Sequence, residues 1–377
     1  MKICIVSNSH HTTDVRLYYK MGLSLKKLGK VYLICTSGVR NSTSNPYQLV
    51  VDTESQWNAL RLLYEEAKRI RPDIVICVEP LTVFVGLALR RKLGTRVVFD
   101  VHEFFPDAFA ERFHPPFSWL AKYLYLGFER WLQSRVDSTI GVNDEILDQI
   151  VSQRERDHAV TLPNYPVKNV WDYDCEIPPE ISTICEMDFD LIYIGGLTAD
   201  RGLFKLLKSV KLLKHSFPTL KTLIVGRFFS SSVETEFNAY INRHNLNAII
   251  YYQPWIPAEK IGLLLKRSKV GLWLFNPRNR RLRKAVPLKV LEYFAAGLPV
   301  VSVNTPLMRD LVEKNRAGAC CEYQSAAIAK EVGGILSLSD EDYGRMGRRA
   351  SALIENQYNW EAVEPRLLGL IKSLASR

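Results

Sequence analysis

Short apolar runs and segments of helical period alternate along almost the whole chain. KICIVS reads as a buried strand, and residues 16–28 carry apolar side chains at helical spacing up to Gly29. VYLIC, a helical stretch over 57–69, DIVICV, another over 82–93, and RVVFDV continue the pattern. It restarts with DLIYIG, a helix over 203–215, TLIVG, a polar helix over 232–244, AIIYYQ, a helix over 256–267, and VGLWLF. A helix over 287–296 then has Pro in its first turn and Gly297 as its stop, before PVVSV returns to a strand. Such alternation predicts parallel sheets with helices on both faces. The fold class is therefore α/β, two Rossmann-like doubly wound domains in series.

The stretch 169–187 has neither period and holds Pro178 and Pro179, so it reads as a linker. The expected first domain is 1–168 and the second 188–355. In two such domains facing across a cleft, the ligand is expected at the carboxyl ends of both sheets. A length of 377 residues suits two cores. No apolar run reaches the length of a membrane span, and MKICIVSNSH lacks a secretion-signal pattern, so a cytoplasmic location is expected. The seven Cys show no CxxC spacing; Cys4, Cys35 and Cys77 read as small core hydrophobes and Cys320–Cys321 as no metal pattern.

The net charge of +10 fits nucleic acid, anionic lipid or anionic small substrates. Arg278, Arg280, Arg281, Arg283, Lys284 and Lys289 crowd one stretch, without the interleaved aromatics of a nucleic-acid platform. No GxGxxG follows either first strand, which removes the main support for a nicotinamide dinucleotide. Instead YIGGLTADRG ends a strand on Gly195 and Gly196 and places Arg201 just before a helix. A cation beside free backbone N–H groups suits a diphosphate; a tight connection is the other reading. In RRLRKAVPLKVLEYFAAGLPVVSV, Lys289 stands in a first helical turn, where it opposes the helix dipole unless an anion binds. Glu292, one turn later in an apolar frame, offers two oxygens to the vicinal hydroxyls of a ribose.

These residues resemble the GT-B glycosyltransferases, specifically the retaining family 4 type, over nearly the whole chain. The likeness rests on YIGGLTADRG, on LIVG followed by YYQPWIP, on PLKVLEYFAAGLPVV, and on SNSHHTTDVRLYYKMGLSLKKLG. NWEAVEPRLLGLIKSL looks like the family's closing helix, which implies that 356–377 crosses back to the first domain. The resemblance implies that Glu292 binds the donor ribose, and that Arg201 and Lys289, with N–H groups near Leu288, hold the departing diphosphate. Gly195, Gly196 and Arg227 join the donor nucleotide contacts, with Trp255 and Ile256 lining the base pocket. His102 and Glu103 in FDVHEFFPD would position the transferred sugar, together with Lys284, Val286 and Pro287. His102, Arg201 and Lys289 are the catalytic candidates. The chain departs from the pattern twice: Lys284 stands where many relatives have a second Glu, seven residues intervening before Glu292, and SNSHHTTD lacks a phosphate-touching Gly.

The expected activity is retaining, metal-independent transfer of a hexose from a UDP-sugar, UDP-glucose or similar, to a saccharide or lipid-linked saccharide in exopolysaccharide or envelope polysaccharide synthesis. A GT-B sugar-nucleotide epimerase and a non-catalytic nucleotide-sugar-binding subunit are the alternatives. No cofactor or metal is expected: the acids at 172–174, 188–190 and 340–342 read as linker or loop acids, and HEFFP is not HExxH. His10, Asp14 and Arg16 are candidates for acceptor or phosphate contact, with a local ion pair as the other reading of Asp14 and Arg16. In WLAKYLYLGFERWL, Trp119, Tyr123, Phe128 and Trp131 are expected to pack in the core, the alternative being peripheral contact with the inner face of the plasma membrane.

Overall fold

The structure is a computed structural model that describes residues 1–53, 55–110, 112–114, 117–168, 177, 179–254, 256, 258–279 and 287–376. The chain forms two compact units, Met1–Asn164 with Trp360–Arg377, and Tyr165–Asn359.

The first unit is built on seven parallel strands: β1 (Lys2–His11), β2 (Lys30–Ser37), β3 (Tyr47–Val50), β4 (Ile74–Cys77), β5 (Arg96–Val101), β6 (Ser138–Gly141) and β7 (Ala159–Thr161). Their order is β3-β2-β1-β4-β5-β6-β7. Central strands are apolar runs because helices cover both sheet faces; all four residues of β4 are fully buried. The order reverses between β1 and β4, so the crevice outside their carboxyl ends is this unit's switch point.

The second unit has β8 (Phe189–Ile194), β9 (Thr222–Val225), β10 (Ile250–Gln253), β11 (Ser268–Trp273), β12 (Val300–Val303) and β13 (Gly318–Cys321), in the order β10-β9-β8-β11-β12-β13. All pairings are parallel. Its switch point lies between β8 and β11. Apolar cores fill both faces of this sheet, one around Leu206, Leu207 and Phe237, the other around Leu264, Tyr293 and Phe294.

Three expectations are revised. Part of the expected linker is a helix, Pro179–Glu186, whose Ile181 and Cys185 are buried in the second unit. The expected helix over 16–28 is a wider π-helical run, Val15–Gly22, followed by one short turn, Leu23–Leu25. The third revision concerns the helix Phe117–Gln133. Its buried line is Ala121, Leu126, Glu129, Leu132 and Gln133. Trp119, Tyr123 and Trp131 fall off that line and stand 64%, 56% and 42% exposed, so the core reading fails for them. Phe128 alone of the four is half-buried.

The helix Trp360–Ala375 packs in the first unit. Trp360 Nε1 donates to Ser24 Oγ at 2.8 Å, Lys27 pairs with Glu364 at 2.6 Å, and Arg366 donates to Thr161 O at 3.2 Å.

Candidate functional site

In the second unit, a Gly-Gly turn and two helix starts gather at the switch point. After β8 the chain turns through Thr198–Gly202, held by Arg201 N–H donating to Thr198 Oγ1 at 3.2 Å. Tyr193 Oη donates to Arg201 O at 2.9 Å and fixes the turn from below. The following helix, Leu203–Leu213, starts on Gly202, which has no side-chain acceptor, and has no acid in its first turn. A helix start left in that state is a positive pole awaiting an anion. Among the described residues the Arg201 guanidinium has no carboxylate partner.

The second helix start is Leu288–Ala295, on the path from β11 to β12. Pro287 caps it without a side-chain hydrogen bond, and again no acid stands in the first turn. Tyr293 Oη accepts from Ile194 N–H at 3.0 Å, which ties this helix to the end of β8. Glu292 is only 8% exposed, framed by buried Val290, Leu291, Tyr293 and Phe294. Lys289 Nζ stands 3.0 Å from Glu292 Oε2. The two residues expected to take diphosphate and ribose thus pair with one another. Among the described residues, Trp273, which ends β11, has no hydrogen-bond partner for its buried Nε1.

Gly195, Gly196 and Arg227 are brought together. Gly195 N–H donates to Val225 O at 2.9 Å, and Leu197 N–H to Arg227 O at 2.9 Å. A Cβ on Gly196 would stand 2.4 Å from the ring of Phe229, an exposed aromatic that the sequence reading did not single out. Ile256 buries its side chain in the core, so only its backbone is available to a base. Trp255, Lys284 and Val286 lie outside the described residues, as do Asp172–Asp174. Asp188 and Asp190 are paired with Arg267 and Lys269. Among the described residues no cluster has the make-up of a metal site.

The first unit's switch point carries a second polar cluster. His10 stands at the end of β1, Glu79 just beyond β4 and His102 just beyond β5. His10 Nδ1 is 2.6 Å from Glu79 Oε1, Ser7 Oγ and Ser9 Oγ donate to the same oxygen at 2.5 and 2.6 Å, and Asn8 N–H donates to Oε2 at 3.1 Å. The His10 and His102 rings meet edge-on at 4.8 Å. Burial pulls the His10 pKa down, but the Glu79 hydrogen bond and charge outweigh it and raise the net value. Burial pushes Glu79 up, and the bonds from His10, Ser7 and Ser9 hold it below the ordinary carboxylate range. The His102 pKa is lowered, mainly by burial, with the nearby Asp100 charge acting against the shift. Among the described residues, His102 Nδ1 and the Oδ1 of Asn8 are buried without hydrogen-bond partners. Two orphaned polar atoms beside a His–Glu pair leave hydrogen-bonding capacity unused in this crevice.

Two candidates are corrected. Arg16 is buried and spent inside the unit: Nε and Nη2 donate to Asp100 at 3.0 and 2.7 Å, and Nη1 to Leu162 O at 3.1 Å. Its ion-pair partner is Asp100, not Asp14. Asp14 instead caps the π-helical run, accepting from Arg16 and Leu17 N–H at 2.8 and 3.0 Å. Glu103 is exposed beside His102. Glu79 was missed; the signal was a carboxylate directly after the strand DIVICV. A cavity of about 490 Å³, lined by Met1, Arg71, Asp73, Arg96 and Leu374 among others, opens at the opposite, amino ends of these strands and belongs to neither cluster.

Comparison with known proteins adds family and fold. The sequence model of the family described as "Glycosyl transferases group 1" matches residues 176–353, and that described as "Glycosyltransferase Family 4" matches 16–165. The chain is 23% identical over 308 residues to EpsD of Bacillus subtilis, a protein named as a glycosyltransferase, covering 78% of this chain and 73% of that one. It is 21% identical over 186 residues to the colanic acid biosynthesis glycosyltransferase WcaL of Escherichia coli, covering 49% and 45%. Among solved structures, Anabaena HepE in complex with UDP and glucose superposes with TM-score 0.70 at 14% identity, covering 99% of this chain and all of that one. Sucrose-phosphate synthase from Thermosynechococcus elongatus also gives 0.70, at 15% identity over 100% and 99%.

Proposed function

The chain belongs to the GT-B glycosyltransferases, of the bacterial polysaccharide type, and from that premise we propose a specific donor and course of reaction. The donor is a UDP-hexose, UDP-glucose or a close relative, and the acceptor a saccharide or lipid-linked saccharide of an exopolysaccharide or envelope polysaccharide. HepE, bound to UDP and glucose, and WcaL, named for colanic acid biosynthesis, support this choice.

One observation carries the reading: two acid-free, uncapped helix starts meet the switch point of the second unit, one beside Arg201 and the other bearing Lys289 and Glu292. The diphosphate takes Arg201, Lys289 and the N–H groups near Leu288, and the ribose hydroxyls take Glu292. Transfer proceeds with retention. The acceptor oxygen bonds to the anomeric carbon as the bond from that carbon to the phosphate oxygen breaks, and the acceptor proton passes to the departing phosphate oxygen. Arg201 and Lys289 stabilise the charge that develops on the diphosphate. Within the first unit, the cluster of Ser7, Ser9, His10, Glu79 and His102 offers hydrogen-bonding groups to saccharide hydroxyls.

The test incubates the protein with UDP- and GDP-hexoses, with and without saccharide acceptors, and follows nucleotide release and product anomer. UDP release with a retained anomer supports the reading. Release from GDP-hexoses alone, an inverted anomer, interconversion of the donor sugar, or binding without turnover each overturns the corresponding part of it.

A further inference from the structure

Glu79 is the node of the first unit's polar cluster. Its carboxylate takes four donors from the end of β1: Ser7 Oγ, Ser9 Oγ and His10 Nδ1 on Oε1, and Asn8 N–H on Oε2. Only 6% of the residue is exposed. A carboxylate held below its ordinary pKa range has no proton to give. Each serine hydroxyl spends its one proton on Oε1, while Ser7 Oγ accepts the N–H groups of Ser9 and His10 at 3.3 and 3.0 Å. His10 Nδ1 must therefore carry a proton, which it donates to Glu79.

That assignment fixes the chemistry of the other ring nitrogen. A neutral imidazole with its proton on Nδ1 keeps a lone pair on Nε2. Among the described residues Nε2 has no hydrogen-bond partner. It is not sealed in as His102 Nδ1 is, and the His10 side chain is 23% exposed. The ring has little freedom to turn, because Glu79 holds one edge and the His102 ring meets it at 4.8 Å. The lone pair thus has a set place in the crevice outside β1 and β4, where a doubly wound sheet binds its ligands.

We propose that Glu79 is a positioning residue of the saccharide site: acting through His10 Nδ1, it holds Nε2 as the hydrogen-bond acceptor for one hydroxyl of the acceptor saccharide. The inference rests on the proposed transfer to a saccharide and adds the atom that reads it. His10 accepts only while it is neutral. The charged and titratable groups that face it are Glu79, Asp14, Asp100 with its partner Arg16, and His102. The three carboxylates raise its pKa, so recognition is present above the folded value and is lost as pH falls through it.

The experiment gives the full chain UDP-glucose as donor and p-nitrophenyl glucosides, galactosides and mannosides as acceptors, and follows UDP release. Wild type, Glu79→Ala, Glu79→Gln, His10→Ala and the Glu79→Ala/His10→Ala double variant are compared, with circular dichroism to confirm folding. Glu79→Ala and His10→Ala should each raise the acceptor KM about fivefold to tenfold, the scale of one lost hydrogen bond. The KM for UDP-glucose should not move. The double variant should be no worse than His10→Ala, because Glu79 acts through that ring. Glu79→Gln still offers an oxygen to Nδ1, so it should keep the wild-type KM at alkaline pH while its acid limb moves to lower pH. Long-range proton–nitrogen NMR of the wild-type ring at alkaline pH should show Nδ1 protonated and Nε2 bare. A ring protonated on Nε2, losses that add in the double variant, or an equal rise in the UDP-glucose KM overturns the proposal. So does an active wild type whose acceptor KM Glu79→Ala leaves unchanged, and in that case the transferase reading stands. A wild type that releases no UDP with any of these hexosides overturns the transferase reading, and the inference with it.

Discussion

His10 Nδ1 and Glu79 Oε1 stand 2.6 Å apart across the switch point of the first unit, joining the end of β1 to the end of β4. The pair raises one pKa and lowers the other, so Glu79→Gln must lower the His10 pKa: burial then acts against less opposing charge. A pH titration of the ring by NMR reads this directly, and an unmoved value would mean the carboxylate does not hold the imidazole. The sign of the stability effect follows. His10, raised above 6.5, stabilises fully below that value and loses the contribution as pH rises through its folded pKa. Glu79, lowered below 4.5, stabilises fully above that value and loses it as pH falls through its folded pKa. The cost of Glu79→Gln is thus widest between pH 4.5 and 6.5, as urea unfolding across that range should show.

Asp100 is fully buried and depends on Arg16 for both of its oxygens. Arg16→Met strands the carboxylate, and such broken buried pairs cost about 3–5 kcal/mol. Urea denaturation of the variant checks it; a loss under about 1 kcal/mol, the scale of a surface pair, would mean that Arg16 does not hold the Asp100 carboxylate.

Glu129 reverses the usual direction. With its pKa raised to about 8, it binds a proton in the folded chain that the unfolded chain gives up above 4.5. Stability therefore declines as pH rises from 4.5 towards 8. Glu129→Gln, which removes the ionisation but keeps the shape, should raise the melting temperature at pH 8, and the gain should shrink towards pH 4.5. Equal shifts at both ends would contradict the buried neutral carboxyl.

Gly196, just after β8, and Gly226, just after β9, differ in what a methyl group would meet. At Gly226, with φ +157°, a Cβ would lie 1.8 Å from Gly195 O, a backbone atom that has nowhere to go. At Gly196 the obstacle is the ring of exposed Phe229, which can swing out. Gly226→Ala should cost more than about 2 kcal/mol and Gly196→Ala less than about 1. Paired urea titrations compare them, and equal costs would mean that the backbone of Gly195 does not press on Gly226 as described.

The sequence made the sheets legible where a strand is buried on both faces, because KICIVS, DIVICV, DLIYIG and TLIVG are unbroken apolar runs. The shorter strands β3, β6, β7 and β13 were not read, since YQLV, STIG, AVT and GACC have neither length nor period enough to stand out. Glu292 could be read from its apolar frame. Glu79 could not, because its role comes from β1 and β4 lying side by side, 69 residues separating it from His10. Arg16 shows the same limit from the other side: its partner Asp100 is 84 residues away, so the nearer Asp14 drew the attention. On the Phe117–Gln133 helix, apolar residues occupy nearly every face, and only the fold tells which line is buried.

Calorimetric titration of UDP into the wild type, Arg201→Ala and Glu292→Ala tests the central claim, that the second unit's switch point holds the nucleotide. Each variant should bind more weakly by about 1–3 kcal/mol, the scale of a lost hydrogen bond to a charged group. Unchanged affinity in both would remove the diphosphate and ribose from these residues, and the account with them.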